Sequence, residues 1–451
     1  MAPRPRVPEH VAAWNGLLED QDLAAASAES LGQGQARRRL LFGGRPLSVS
    51  LRPNLLTPQR WAHAVQAARG VHSALMTLER ELLRDPGLRT ELALDPEEER
   101  LALADPGGRT ASPSMRLDSF FGSEVRYVEC NAESPAGMAY EDLVAEAFAE
   151  LPVMRAFRRR YRVRSLPVRK RQLGAMLRSF REWGGDAKPA IAIVDWKGLP
   201  TATEFELFTA YFESQGVATV VCDPTELELR RRRLYAGGRP VSIVYKRVLT
   251  SELLARPEAA KALVDAYTSG AIVMVNTFRG KLLHVKLSLA LLSDDLYAHL
   301  YTSRQREVIA RHIPWTRRLR EGPTTWRGRR VRDLVEHVRR RREQLALKPN
   351  DDYGGRGVVL GWTVSAEEWD RALAGALELP SVVQEAVEVP REPFPVLLDA
   401  IEIHDLAVDM DPYLFHGRPG GLLTRLSSSA LLNVTAGTGS MVPTFLVEGR
   451  A

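Results

Sequence analysis

The first hundred residues place apolar side chains at helical spacing, as in TPQRWAHAVQAARGVHSALMTLERELLRD at 57–85. This spacing predicts a long amphipathic helix, and the Ala/Leu/Arg/Glu-rich stretch 1–105 as a whole predicts a helical cap or packing layer. The pattern changes at 115–120 and 125–131, where polar and apolar residues alternate as they do in strands. The stretch 135–161 then predicts a helix that follows a Pro/Gly turn.

Strands and helices alternate from Pro189 onward. Short apolar runs predict the strands, and a helical pattern that ends at a glycine lies between the first two. The predicted strands are 190–196, 217–223, 240–248 and 271–276, and the helix is 201–216. This alternation is typical of a small α/β unit with a parallel sheet.

After residue 277 the pattern is helical again, and strands then return. LALKPNDDYGGRGVVL predicts two strands around a glycine-rich turn, and a helix at 365–377, a strand at 381–389 and a strand-rich end follow. A chain of 451 residues is too long for one simple core. The predicted fold class is mixed α/β (α+β), divided at 1–105, 106–165, 166–276 and 277–451.

Four polar residues lie inside the predicted hairpin, namely Arg116, Asp118, Glu129 and Asn131. Side chains on a strand alternate between faces, so a register with Asp118 opposite Glu129 also puts Arg116 opposite Asn131. Opposed carboxylates repel each other, and a divalent cation would reverse that sign. Because Mg²⁺ accepts carboxylate and amide oxygens, Asp118, Glu129 and Asn131 are candidate metal ligands. The alternative is that Arg116 forms salt bridges with these acids on a solvated face.

Lys348 precedes a turn that contains Gly354, Gly355 and Gly357, with a strand on either side. Glycines allow unusual backbone dihedrals, so the N–H groups of such a turn can approach phosphate oxygens closely. The lysine would add a compact positive charge at the mouth of the turn. An ordinary hairpin with a glycine turn fits the same pattern equally well.

The strand VVQEAVEVP at 382–390 ends in acidic residues. Its backbone groups could bind an adenine edge, and Glu385 or Glu388 could bind a ribose hydroxyl. A plain strand with exposed acids is the alternative for each of them.

Taken together, these segments resemble the ATP-grasp ligases. The shared features are the K-P strand with its glycine turn, the Q-E strand after it, and the D…E-x-N set. In most of that superfamily the acidic ligands follow the hinge strand, whereas here they precede the glycine turn, as in circularly permuted members. RLD and ECNAESP are similar to the R-x-D and E-x-N-x-x-x-P stretches of the glutathionylspermidine synthase type, and the resemblance covers 115–145 and 240–443.

The resemblance implies an ATP-grasp fold in circularly permuted order, with a pre-ATP-grasp α/β domain at 166–276 and nucleotide-binding subdomains at 277–451. Lys286, the third residue of HVKLSLALLSDD, would be a second ATP-contacting lysine beside Lys348. The glycine turn, Gln384 and Glu385 would complete the nucleotide site, and Arg425 and Asn433 are further candidates for phosphate or substrate contact. No cysteine–histidine pair suggests an amidase domain, so the resemblance is to the synthetase domain only.

The implied activity is ATP-dependent ligation of a carboxylate to an amine through an acyl phosphate, with ATP and Mg²⁺. Arg116 would be the catalytic residue that steadies the transferring phosphoryl group, and Tyr353 and Arg356 would lie at the rim of the closing turn. The substrates would be small molecules or peptides that supply the acid and the amine. The alternative is a nucleotide-binding scaffold that has lost catalysis and acts through partners.

The net charge of +6 arises mostly from arginine clusters at 155–165, 230–233 and 339–342. Such clusters can mark a nucleic-acid footprint, but they lack the interleaved aromatic residues of a base-stacking surface, so a solvated helix face is favoured. Cys130 and Cys222 are far apart, and no apolar run approaches the length that spans a bilayer. The sequence therefore predicts a reduced, cytoplasmic protein without a membrane segment, and it leaves homo-oligomerisation open.

Overall fold

Helices dominate the N-terminal part of the computed structural model, which describes residues 7–42, 44–105, 107–108, 110–352, 354–429 and 439–450. The elements of this part are α1 (Glu9–Leu17), α2 (Gln21–Arg37), β1 (Leu41–Phe42), β2 (Arg45–Pro46), β3 (Asn54–Leu56), α3 (Pro58–Arg84), α4 (Pro86–Thr90) and α5 (Pro96–Leu103). Helix α3 confirms the prediction at 57–85, and it begins where Thr57 accepts the N–H of Arg60 and Pro58 takes the first helical position. The sequence pattern did not predict β3.

The predicted hairpin is present, but the single helix expected after it is not. The elements here are β4 (Ser114–Phe121), β5 (Val125–Asn131), α6 (Met138–Ala149), α7 (Pro152–Phe157) and β6 (Tyr161–Ser165). The prediction of one helix over 135–161 is wrong because Pro152 lacks an N–H and keeps Leu151 extended, at ψ 141°. A new helix then starts at the proline.

A parallel sheet forms the α/β unit, as the sequence predicts. Its elements are α8 (Arg169–Trp183), β7 (Ala190–Val194), α9 (Ala202–Ser214), β8 (Ala218–Cys222), β9 (Leu227–Arg230), β10 (Arg233–Ala236), β11 (Arg239–Val241), β12 (Ile243–Lys246), α10 (Thr250–Leu254), α11 (Pro257–Thr268) and β13 (Val273–Val275). The sheet has the order β13-β12-β7-β8, and every pair in it is parallel. All four predicted strands are confirmed.

The arginine cluster at 230–233 does not lie on a helix, so the favoured interpretation of a solvated helix face is wrong there. Strands β9, β10 and β11 form a small antiparallel sheet between β8 and β12. Arg231 and Arg232 make its first turn, with φ of 47° and 60°. These side chains are exposed.

An antiparallel sheet holds the glycine turn. The elements of this part are α12 (Lys281–His284), α13 (Leu287–Ser293), α14 (Ser303–His312), β14 (Thr316–Arg318), β15 (Thr324–Trp326), β16 (Arg329–Val331), α15 (Leu334–Arg340), β17 (Leu345–Pro349), β18 (Val359–Leu360), α16 (Ala366–Glu378) and β19 (Ser381–Glu385). The sheet has the order β14-β19-β17-β18. Leu347 and Val383 pack on one face with Trp369 of α16, so Lys348 and Gln384, one position further along, lie on the other face.

The C-terminal strands join the early hairpin in one sheet. These strands are β20 (Arg391–Leu397), β21 (Ile401–Phe415), β22 (Arg418–Ser427), β23 (Ser440–Met441) and β24 (Thr444–Gly449). The sheet has the order β23-β22-β21-β4-β5, and Tyr413 of β21 pairs with Arg116 of β4. Strand β24 pairs with β3 and β6. The hairpin is therefore an integral part of a sheet that is completed only near the end of the chain.

Both cysteines are buried free thiols, as predicted. Within the described residues, no helix combines the length and the hydropathy that crossing a membrane requires.

Candidate functional site

The hairpin has the predicted register. Asp118 pairs with Glu129, and Arg116 pairs with Asn131. A bulge follows this pair, since Ser119 pairs with Tyr127 and Val128 has no opposite residue. Bulges turn backbone groups out of the ladder, and here the carbonyl of Val128 accepts a hydrogen bond from Lys348 Nζ at 3.3 Å.

Asp118 is the most heavily contacted carboxylate of the hairpin. Arg116 binds both of its oxygens, with Nε and Nη2 at 2.7 and 3.0 Å, and Asn131 Nδ2 donates to Oδ1 at 2.7 Å. Burial alone would raise the pKa of Asp118, but the guanidinium groups of Arg116 and Arg425 lower it to about 2. The salt-bridge alternative is therefore present, yet it is buried, with Asp118 only 6% exposed.

The charge repulsion expected across the hairpin is offset by cations of the protein itself. Glu129 lies 3.1 Å from Lys286 Nζ, its only ion-pair partner among the described residues. Asp118 is held by two arginines. Each carboxylate therefore has a positive partner within the protein, and metal binding by this pair stays a prediction.

Arg425 brings two further acids to the site, and sequence analysis missed both. Its Nη2 lies 3.0 Å from Asp118, 2.6 Å from Asp409 and 3.0 Å from Asp411. Asp411 also accepts the N–H of Ser119 at 2.8 Å, which fastens β21 to the hairpin. The signal was present in AVDMDPYLF at 407–415, where two acids lie two positions apart within an apolar strand. They share one face of β21 and point at Arg425.

Lys286 connects the hairpin to the glycine turn. It directly precedes α13, and its Nζ donates to the carbonyl of Asp352 at 2.7 Å while it pairs with Glu129. Its backbone N–H donates to the carbonyl of Asn350 at 2.9 Å. Two segments that are remote in sequence therefore meet at one buried ammonium group, which is 6% exposed as a residue.

Lys348 lies against the same hairpin from β17. Its Nζ donates to Gln384 Oε1 at 2.6 Å, and Gln384 Nε2 donates to Thr316 at 3.0 Å, so Gln384 fixes the lysine. Burial, opposed by the carboxylate of Glu129, lowers the pKa of Lys348 to about 8. This half-buried amine is thus a cation close to its titration point.

The glycine turn has the backbone geometry that the sequence suggests. Gly354, Gly355 and Gly357 have φ of 66°, 77° and 65°, a region that side chains with a Cβ rarely adopt. A Cβ on Gly357 would also lie 2.6 Å from the ring of Pro349. Tyr353, predicted at the rim, lies outside the described residues, and Arg356 is exposed.

The remaining candidates, Glu385, Glu388 and Asn433, each have a different outcome. Glu385 is not brought to the lysines, since it pairs with Arg327 at 2.7 Å, and strand alternation puts it on the opposite face from Gln384. Glu388 lies beside the hairpin turn, with Oε2 3.2 Å from the position a Cβ on Gly122 would take. Asn433 lies outside the described residues.

Comparison with known proteins places this site in a recognisable fold. A glutathione synthetase-like effector (GSS30) from Globodera pallida, solved in its apo form, superposes with a TM-score of 0.58 over 94% of this chain and 97% of that chain, at 12% identity. The chain has a glutathione synthetase-like fold. A curated protein of Mycobacterium leprae (strain TN), described as uncharacterized, is 23% identical over 92% of this chain and 76% of its own length. No protein-family profile matches the chain.

Within this glutathione synthetase-like fold, the hairpin carries oxygens of the kinds that bind magnesium, and a further ligand would complete the coordination of the ion. No three His, Cys, Asp or Glu residues of the described ranges are placed to hold a metal by themselves. Glu129 and Asp118 nevertheless supply carboxylate oxygens, and Asn131 supplies an amide oxygen because its nitrogen donates to Asp118. Magnesium typically takes one or two carboxylates and fills its other positions with phosphate oxygens and water. The donor types therefore match those that magnesium accepts together with a phosphate, while both oxygens of Asp118 are held here by donors of the protein.

Proposed function

We propose that the protein is an ATP-dependent carboxylate–amine ligase with an ATP-grasp fold in circularly permuted order, resembling the glutathionylspermidine synthase type in its synthetase domain. The observation that carries this proposal is the position of Lys286, which pairs with Glu129 of the hairpin and donates to Asp352 at the base of the glycine turn. Lys286 therefore contacts both the hairpin that carries the candidate metal ligands and the turn that would bind phosphate. The glutathione synthetase-like fold supports the same interpretation.

The nucleotide would lie between the hairpin and the sheet β14-β19-β17-β18. Lys286 and Lys348 would neutralise its phosphates, and the N–H groups around Gly354, Gly355 and Gly357 would cradle them. Gln384 would keep Lys348 directed into the cleft. The backbone after β19 would bind the adenine edge beyond Ala386, since the N–H groups of Glu385 and Ala386 already donate to carbonyls within the protein. Glu385 would reach a ribose hydroxyl only by leaving Arg327.

Asp118, Glu129 and Asn131 would hold magnesium, which when bound supplies a Lewis acid that screens the charge of the phosphates. Binding would draw Asp118 away from part of its arginine contacts. Arg116 would then have donors free to steady the phosphoryl group in transfer, because two of its three nitrogens now bind Asp118. The third nitrogen stays on the carbonyl of Ala136 at 3.2 Å, which fixes the side chain.

The reaction would proceed in two steps. The substrate carboxylate takes the γ-phosphoryl group of ATP to give an acyl phosphate and ADP, and a deprotonated amine then attacks the acyl carbon. The C–N bond forms as the bond to phosphate breaks, and the proton leaves to solvent. The glycine turn would exclude water, which otherwise hydrolyses the acyl phosphate.

The substrates would be small molecules or peptides with a carboxylate and an amine. Residues 1–105 would cap the site, 106–165 would carry the metal hairpin, 166–276 would be the pre-ATP-grasp domain, and 277–451 would hold the nucleotide-binding subdomains. A cytoplasmic location agrees with the two buried free thiols.

Calorimetric titration with ATP, with and without Mg²⁺, tests the first half of the proposal. Saturable binding that needs Mg²⁺ is expected, and Glu129→Gln should weaken it while Glu228→Gln, which changes an exposed acid on β9, should not. Absence of ATP binding by the wild-type chain would refute the proposal.

ADP release in mixtures of carboxylic acids and amines tests the second half. Release that requires both an acid and an amine is expected. Binding of Mg-ATP without ADP release in any mixture would instead favour the inactive scaffold.

A further inference from the structure

A second buried charge cluster lies next to the metal hairpin. Glu133, two positions after Asn131, accepts a hydrogen bond from Lys246 Nζ at 2.9 Å and lies 3.7 Å from Lys281 Nζ. The side chains of Glu133 and Lys246 are both 0% exposed, and that of Lys281 is 1% exposed. Charges buried this deeply are tolerated only when they are paired, so these contacts are firmly specified.

Lys281 extends this cluster to the glycine turn. Its Nζ lies 2.6 Å from Asp351 Oδ2 and 3.0 Å from Glu98 Oε1. Asp351 immediately follows Asn350, whose side chain accepts the N–H of Leu287 and donates to the carbonyl of Leu92, each at 2.9 Å. The start of the glycine turn is therefore tied down by two adjacent side chains.

Three separate segments meet at Lys281 through these contacts, and a fourth joins them through Glu133. Glu133 comes from the end of the hairpin, Glu98 from α5, and Asp351 from the glycine turn, while Lys246 at the end of β12 binds the other side of Glu133. Of these acids, Asp351 is the most open, with 31% of its side chain exposed, against 8% for Glu98. Only Asp351 belongs to the segment that would close over a phosphate.

We propose that Lys281 is a positioning residue that anchors the base of the glycine turn through Asp351 and aligns the turn with the metal hairpin through Glu133. The role of this anchor in nucleotide binding rests on the function proposed above. Lys281 does not touch the nucleotide in this arrangement, because its ammonium group is buried and occupied by three carboxylates. The base of the turn is then fixed in its position before ATP arrives, which lowers the conformational entropy lost on binding.

Asp351→Asn and Glu98→Gln form a matched pair of variants for the test. Each removes one carboxylate from Lys281 and leaves the lysine two others, so both proteins should fold. Only the first of the two acids is on the glycine turn. Trypsin can cut after Arg356 in that turn, and the exposed turn at Arg231 and Arg232 gives a reference cleavage in the same digest.

In the chain without nucleotide, Asp351→Asn should speed cleavage at Arg356 by about tenfold relative to the reference, because a neutral amide oxygen holds the Lys281 ammonium group more weakly than a carboxylate does. Glu98→Gln should stay within about twofold of the wild type, and Asp351→Glu should recover most of the protection. Equal cleavage in Asp351→Asn and Glu98→Gln, or a rise at all sites together, would overturn the inference.

Titration with Mg-ATP separates this inference from the proposed function. If the wild-type chain binds, Asp351→Asn should bind about tenfold more weakly than Glu98→Gln, and equal affinities would overturn the positioning role. If the wild-type chain does not bind Mg-ATP, the proposed function fails, while the cleavage experiment still decides whether Lys281 anchors the turn.

Discussion

Lys286 Nζ lies 3.1 Å from Glu129 Oε1, although the whole parallel α/β unit separates the two residues in sequence. The same ammonium group donates to the carbonyl of Asp352, so one side chain contacts both the hairpin and the glycine turn. Lys286 is nearly buried, whereas 23% of the Glu129 side chain is exposed. Solvent therefore reaches this ion pair mainly through Glu129.

Glu129→Gln should lower the free energy of unfolding by about 1–2 kcal/mol, since it leaves a nearly buried ammonium group without a carboxylate. Lys286→Met alone should also destabilise the protein, and the double variant should lose less than the sum of the two. A double-mutant cycle from urea denaturation measures this difference. Additive losses would mean that the ion pair contributes nothing to stability.

Arg425→Met should lower the free energy of unfolding by about 3–5 kcal/mol, because it leaves three buried carboxylates facing one another. Arg418→Met on the same strand is the control, and its side chain is exposed, so a change within about 0.5 kcal/mol is expected. The deficit of Arg425→Met should shrink as the pH falls, because burial raises the pKa of Asp409 and Asp411 and protonation ends their repulsion. A deficit that does not change with pH would count against this electrostatic origin.

The lowered pKa of Lys348 predicts how nucleotide binding depends on pH. Burial lowers its pKa to about 8, so the side chain is mostly charged at pH 7 and loses its proton as the pH rises. If only the charged form binds phosphate, affinity for Mg-ATP should fall by about tenfold between pH 7 and pH 9. Lys348→Arg keeps its charge throughout this range, so calorimetry on that variant should show a flatter profile. Identical profiles for both proteins would exclude Lys348 from the phosphate site.

His72 predicts a loss of stability in mild acid. Burial against the turn at His416 lowers the pKa of His72 from its usual 6.5 to about 4. The unfolded chain therefore binds a proton first, so this contribution is complete above pH 6.5 and is lost as the pH falls to about 4. The loss amounts to about 3 kcal/mol at most.

Chemical denaturation at a series of pH values measures this effect in His72→Gln, which should be less sensitive to acid than the wild type. His63→Gln is the matched control on α3, where His63 has 43% of its side chain exposed, and it should keep the acid sensitivity. Equal sensitivity in wild type and His72→Gln would assign the acid response to other groups, of which His416 faces His72 most closely.

Local pattern was sufficient for much of the fold. The parallel strands were predictable because both of their faces are buried, which leaves continuous apolar runs such as AIAIV at 190–194. The hairpin register was predictable because a shift of one residue would turn Met115 and Leu117 out of the core. The prediction for 135–161 was wrong because helical spacing outweighed the one proline that breaks it.

The candidate site was only partly predictable for the same reason. Arg116, Asp118, Glu129 and Asn131 lie on two adjacent strands, so alternation alone brings them together. Arg425, Asp409 and Asp411 reach Asp118 through strands from the end of the chain, and no local period marks that pairing. Glu385 shows the converse, since its position beside Gln384 in sequence puts it on the opposite face of the strand.

Local sequence patterns were enough to locate most of the strands in the hairpin and the α/β unit, the side chains that share a face, and the glycines that permit a tight turn, because these follow from periods of a few residues. Tertiary structure alone decided which charges neutralise one another. Lys286 could have met any acid, and it meets Glu129 because α12, which ends two residues before Lys286, packs against β5 of the hairpin. Two charged groups attract each other strongly only when folding brings them within a few ångströms, and their separation along the chain does not determine which pairs form.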